Sequence, residues 1–132
     1  YGGSVMIKKK HRSRKGENIM PVTIKMLLDQ YTEILRKIYG SHLKTVILYG
    51  SYARGDYKTD SDIDIMILLD LSDMDIKQYR HELSGETFDF NMDHDFDIKP
   101  IAKSQQHFQN WVDVYPFYAN VKREGIKLFD VS

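Results

Sequence analysis

Asp62 and Asp64 flank a single apolar residue, and a glycine-serine pair, Gly50-Ser51, stands upstream with ten residues between Ser51 and Asp62. On a β-strand, residues two apart share one face and lie about 6.6 Å apart along it, close enough for their side chains to meet. Two carboxylates held that close repel each other in a dry cleft, and a divalent cation is their natural neutraliser. An all-oxygen ligand set favours Mg²⁺ or Mn²⁺ over zinc. A glycine directly after a strand lets a phosphate approach the backbone with no Cβ in the way. A helix beginning at Ser51 would add free N–H groups and a hydroxyl for terminal phosphates. A carboxylate pair and a phosphate grip at the two ends of one excursion suit a nucleoside triphosphate with bridging Mg²⁺.

The flanking residues supply the elements that must hold these groups. Thr45 to Tyr49 is a short β-rich apolar run ending at Gly50, as expected of a buried strand. Ile63, Ile65 and Ile67 alternate with Asp62, Asp64, Met66 and Leu68, giving a second strand with one wholly apolar face and one that opens polar. Before them, Ile24, Leu27, Leu28, Tyr31, Leu35 and Ile38 form an apolar stripe at helical spacing, with Thr23 as expected N-cap and Gly40 as stop. After them, a turn-rich stretch leads into a helix expected from about Ile76 to Phe90. Phe96 to Ala102 alternates again, with Asp97, Lys99 and Ile101 on one side, and Pro100 marks an edge or irregular strand. Ser104 caps a helix to about Val112, Phe117 to Glu124 forms another, and Ile126 to Phe129 closes with a strand. The order predicts an α/β domain with a small mixed sheet flanked by helices.

Composition narrows the remaining classes. At 132 residues the chain forms one domain, with no room for a separate acceptor domain. Of the 19 basic and 19 acidic residues, six basic and one acidic fall in residues 1–20, leaving 13 against 18. That balance gives no argument for specific nucleic-acid binding. Residues 1–20 read as a disordered leader or vector-derived remnant, and 21–132 as the folded domain. The basic run Lys8 to Lys15 has no interleaved aromatics, so a solvated tail fits it better than a nucleic-acid arm. There is no cysteine and no apolar run near a membrane span, which points to a cytoplasmic protein with no membrane contact.

Competing motifs do not fit. An EF-hand begun at Asp60 would place Ile65 where glycine is needed and Leu71 where glutamate is needed. Neither a P-loop nor a G-x-G-x-x-G fingerprint occurs. His94, between Asp93 and Asp95, has no partner histidine at zinc-ligand spacing and reads as a surface residue. Phe108, Trp111, Phe117 and Tyr118 read as core more readily than as a base-stacking platform, and Arg54 as an ion-pair partner of a nearby aspartate.

Gly50-Ser51, ten residues, then Asp62-Ile63-Asp64 resembles the G-S-x10-D-x-D signature of the minimal nucleotidyltransferases, small members of the DNA polymerase β-like superfamily. The surrounding Ser51-Tyr52-Ala53-Arg54-Gly55 and the closing Pro116 to Ile126 are similar too, so the resemblance spans roughly residues 22–130. It implies the polymerase β-like fold and a Mg²⁺-dependent transfer of a nucleoside monophosphate, AMP from ATP, to a hydroxyl with release of pyrophosphate. It implies that Asp62 and Asp64 bind two Mg²⁺, that Gly50 and Ser51 hold the β- and γ-phosphates, and that a third carboxylate completes the metal site and helps deprotonate the acceptor. Asp97 is chosen as that third carboxylate, mid-strand, with Asp95 of the same parity as its alternative. The resemblance also implies an antitoxin that places AMP on a tyrosine of a HEPN-type toxin. Transfer to a small molecule such as an aminoglycoside, with self-association building the pocket, and an inert nucleotide- or protein-binding partner are the alternative expectations.

Overall fold

A computed structural model describes residues 20–131, so the leader expected over residues 1–20 falls almost wholly outside the described residues. Helix α1, Val22–Tyr39, buries Leu28, Tyr31, Leu35 and Ile38 along the predicted stripe. It begins one residue before Thr23, with Pro21 in the capping position and the Pro21 carbonyl accepting from the Lys25 N–H at 3.0 Å. A proline costs nothing there, because the first N–H groups of a helix have no intrahelical acceptor. Gly40, at φ 57°, ends the helix as expected, its N–H bonded to the Arg36 carbonyl.

After a 3₁₀ turn, Gly40–His42, strand β1 runs over Leu43–Tyr49 and is followed by α2, Ser51–Arg54. Strand β2, Ile63–Leu69, lies antiparallel to β1. Two helices follow, α3 at Asp73–Lys77 and α4 at Arg80–His94, in place of the single helix expected from Ile76 to Phe90. Ser72 caps α3 through the Asp75 N–H at 3.2 Å, which starts helix earlier. Tyr79, at the break, packs on Tyr39 with ring centroids 5.1 Å apart. Gly85 is tolerated inside α4, where a Cβ would meet nothing within 4 Å.

Strand β3, Ile98–Ser104, pairs parallel with β2, and the α3–α4 segment supplies the crossover that a parallel pair requires. The Asn91 side chain holds the backbone of Ile98 at both groups, accepting from its N–H at 2.9 Å and donating to its carbonyl at 3.2 Å. Ser104 caps α5, Gln105–Trp111, as expected, and α6, Pro116–Glu124, leads into β4, Ile126–Asp130.

The sheet order is β3-β2-β1-β4, with β1 antiparallel to both neighbours. This is the small mixed sheet of the predicted α/β class, with β3 at an edge as Pro100 suggested. On one face, α1 and α4 cover Val46, Leu48, Ile63, Ile65, Ile67 and Ile98. There Tyr31 packs on Phe90 and its hydroxyl meets that of Thr87 at 2.7 Å. On the other face, α5 and α6 pack Phe108, Val112, Tyr118 and Val121 against Ile47, Met66 and Leu68. Phe108 and Tyr118 are core as expected, but Trp111 and Phe117 are 40% and 44% exposed. Their helices are too short to bury more than one side, so both rings stand at the rim. No helix among the described residues is long and apolar enough to cross a membrane.

Candidate functional site

The face covered by α5 and α6 is also the face that carries the predicted chemistry. Strand alternation sends Ile63, Ile65 and Ile67 to the α1–α4 side and leaves Asp64 and Met66 on the other. Tyr49 of β1 lies opposite Asp64, and Asp64 lies beside Lys99 of β3. The three side chains therefore form a row across adjacent strands.

Gly50 turns the chain out of β1 at φ 77°, a left-handed conformation that L side chains rarely adopt. A Cβ there would run into the Asp64 carboxylate, with its Cγ only 3.2 Å away. The backbone of the expected phosphate grip is thus packed directly on the carboxylate that would face a metal. The Gly50 carbonyl accepts from the Ala53 and Arg54 N–H groups at 3.1 and 3.0 Å. Helix α2 spans only four residues and ends at Gly55 in the left-handed region. A single turn has almost no macrodipole, so any phosphate contact here depends on local N–H groups and the Ser51 hydroxyl.

Asp62 and Asp97 sit just ahead of the paired strands, and the Ile63 N–H donates to the Asp97 carbonyl at 2.9 Å. Asp97 therefore precedes β3 and is not mid-strand as expected. Its carboxyl nonetheless lies within hydrogen-bonding reach of Asp62. Asp95 has no strand parity at all: it caps α4 in the left-handed region, at φ 55°. The structure thus brings Asp62, Asp64 and Asp97 to one edge and leaves Asp95 out.

The electrostatics follow from that crowding. The hydrogen bond with Asp97 raises the Asp62 carboxyl above the usual carboxylate range, desolvation and the Asp97 charge add to it, and Lys99 opposes. Burial raises Asp64, with repulsion from Asp62 second, while Arg54 and Lys99 pull the other way. The Tyr49 hydroxyl is pushed up to about 12 by burial and then by the Asp64 charge. Among the described residues, no three histidine, aspartate or glutamate side chains converge tightly enough to form a ready-made cation site. The donor chemistry still fits a hard divalent cation: three oxygen-only carboxylates, with Asp62 made less easily ionised chiefly by Asp97 and Asp64 chiefly by burial, and with Asp62 exposed to incoming solute.

Arg54 fulfils the structural expectation, reaching Asp56 at 3.2 Å and Glu124 at 3.3 Å and so tying α2 to the end of α6. His94 lies against the Phe90 ring, centroids 4.3 Å apart. Two further residues neighbour the site, Lys99 and Tyr49. Lys99 was legible as a same-face neighbour two residues from Asp97, whereas Tyr49 depends on the β1–β2 register.

Comparison with known proteins places the chain in a family. Residues 28–127 match the nucleotidyltransferase domain family. A relative from Methanocaldococcus jannaschii, provisionally named a protein adenylyltransferase, is 33% identical over 77% of this chain and 94% of its own length. A second from the same organism, with the same provisional name, is 28% identical over 66% of this chain and 86% of its own. In fold, the chain is similar to a crystal structure of a toxin-antitoxin with AMP-PNP, with a TM-score of 0.52 and 21% identity over 79% of this chain and 73% of that one. It is equally similar to a Sulfolobus solfataricus crystal structure described as a nucleotidyltransferase, with a TM-score of 0.52 and 22% identity over 90% and 93% of the two chains. The chain belongs to the nucleotidyltransferase domain family and has its polymerase β-like fold.

Proposed function

We propose that this domain transfers AMP from ATP to a tyrosine hydroxyl on a HEPN-type toxin partner, with Mg²⁺ as the required cation. The observation that carries the reading is the contact of Gly50 with the Asp64 carboxylate, beside the Asp62–Asp97 pair. That closeness supports a triphosphate gripped at Gly50-Ser51 running past the carboxylate edge. The provisional name of the relative and the toxin-antitoxin likeness support a protein as acceptor.

Asp62, Asp64 and Asp97 would hold up to two Mg²⁺, which supply charge neutralisation along the phosphate chain. The Gly50 backbone and the Ser51 hydroxyl hold the β- and γ-phosphates. Asp97, at the sheet edge and 57% exposed, receives the proton of the incoming hydroxyl. The acceptor oxygen bonds to the α-phosphorus, the bond from the α-phosphorus to the oxygen bridging it to the β-phosphate breaks, and pyrophosphate leaves.

Incubation with α-labelled ATP, Mg²⁺ and the product of the neighbouring reading frame tests the reading. Label on a tyrosine of that protein is expected, with loss of transfer in Asp62→Ala and Asp64→Ala. Label on an aminoglycoside instead would overturn the acceptor assignment, and undiminished transfer in both variants would overturn the carboxylate assignment.

A further inference from the structure

Lys99 sets a second positive charge near the carboxylates, besides that of Arg54, which is tied to Asp56 and Glu124. The Lys99 Nζ lies 3.5 Å from the Asp97 Oδ1, and Asp97 is its one ion-pair partner among the described residues. Parallel pairing sets it beside Asp64 on the same face. Its charge also reaches Asp62 and Asp64, where it opposes the effect of burial and crowding. Both partners of the ion pair are 57% exposed, and so open an ion pair adds little to stability. The pair itself therefore contributes little to holding the fold together.

Sheet order supplies the direction. Adjacent strands lie about 4.8 Å apart, so Lys99, Asp64 and Tyr49 make a row roughly 10 Å across with Gly50-Ser51 at its far end. A triphosphate with its terminal phosphates at Gly50-Ser51 and its chain over Asp64 brings the α-phosphate toward the Lys99–Asp97 end.

We propose that Lys99 is an exchangeable cation of the site, holding Asp97 until nucleotide and divalent cation enter and then moving its ammonium to the α-phosphate. The inference rests on the nucleotidyltransferase reading above. Once Asp97 is taken up by a cation or by the acceptor proton, the ammonium has lost its partner, and the α-phosphate is the new anion on that side. A lysine suits the task because its point charge sits on a flexible stem and needs no fixed fork of bonds. At the α-phosphate it would meet the charge that develops as pyrophosphate departs.

Two binding measurements on the full chain test this through effects of opposite sign. Removing the competing charge in Lys99→Met should tighten Mn²⁺ binding to nucleotide-free protein by a factor of about two to ten. The same variant should bind α,β-methylene-ATP about tenfold more weakly at saturating Mn²⁺, because a charge-assisted contact is lost. Lys99→Arg should recover most of the nucleotide affinity, and a thermal melt matching wild type shows that each variant is folded. If wild-type protein binds both ligands and folded Lys99→Met leaves nucleotide affinity unchanged, the Lys99 inference alone is overturned. A wild-type chain that binds neither Mn²⁺ nor the analogue overturns the nucleotidyltransferase reading, and the role of Lys99 with it.

Discussion

On one face of the sheet α1 and α4 bury Ile63, Ile65 and Ile67 to 1% exposure or less, while on the other α5 and α6 cover Met66 and Leu68 but leave Asp62 in the open. The same strand, β2, serves both faces. Its odd positions lie buried under α1 and α4, and its even ones run from the Asp64 carboxylate to buried Met66 and Leu68. The difference lies in helix length: α1 and α4 span 18 and 15 residues, α5 and α6 only 7 and 9. Long helices seal one face from end to end, and short ones leave a strip at the other where charged groups can meet solute.

That contrast can be broken from either side. On the open face, Asp64→Asn should reduce nucleotide transfer by at least about a hundredfold, because preorganised charge at a reacting centre is worth that much or more. Circular dichroism should show the fold intact, and transfer near wild-type rate would remove Asp64 from the site. On the sealed face, Ile65→Ala should cost about 2–5 kcal/mol of stability, read by denaturant unfolding, with nucleotide affinity of the folded fraction unchanged. Gly50→Ala lies between the two faces. Its forced left-handed conformation should cost about 1–3 kcal/mol in addition to the clash with Asp64, so both the melt and nucleotide binding should suffer.

The smallest effect is a pH dependence. The folded state raises the affinity of Asp62 and Asp64 for their protons, so their contribution to stability is complete below the ordinary carboxylate range, near pH 4, and is lost as pH rises through the folded values. Melts without divalent cation should therefore show a modest drop in Tm from pH 4 upward attributable to this edge, and Asp62→Asn should flatten it. An identical slope in that variant would show that the crowding carries no energetic weight. Added Mg²⁺ should offset the drop near neutrality and have no effect at pH 4.

Much of this was legible because local chemistry decides it. The alternation of β2 separates Ile63 from Asp64 by geometry alone, and Gly40 and Ser104 punctuate helices through backbone needs that their residue types announce. The elements that differ from expectation each depend on partners distant in the chain or on the extent of a neighbouring helix. The break between α3 and α4 is set where Tyr79 meets Tyr39, forty residues earlier in the chain. Asp97 and Asp95 have equal parity in sequence, yet only Asp97 reaches the site, because α4 persists to His94 and takes Asp95 as its cap. Trp111 and Phe117 looked like core by type, but burial depends on how much surface a short helix has facing inward.

Asn91, by holding both backbone groups of Ile98, has a consequence for how a partner can approach. The next outward-facing position of β3 is Pro100, which has no N–H to offer. The end of the edge strand nearest the carboxylates thus offers no free N–H at its first two outward positions to an extended chain. Contact at this end of the edge therefore favours docking through side chains over strand addition.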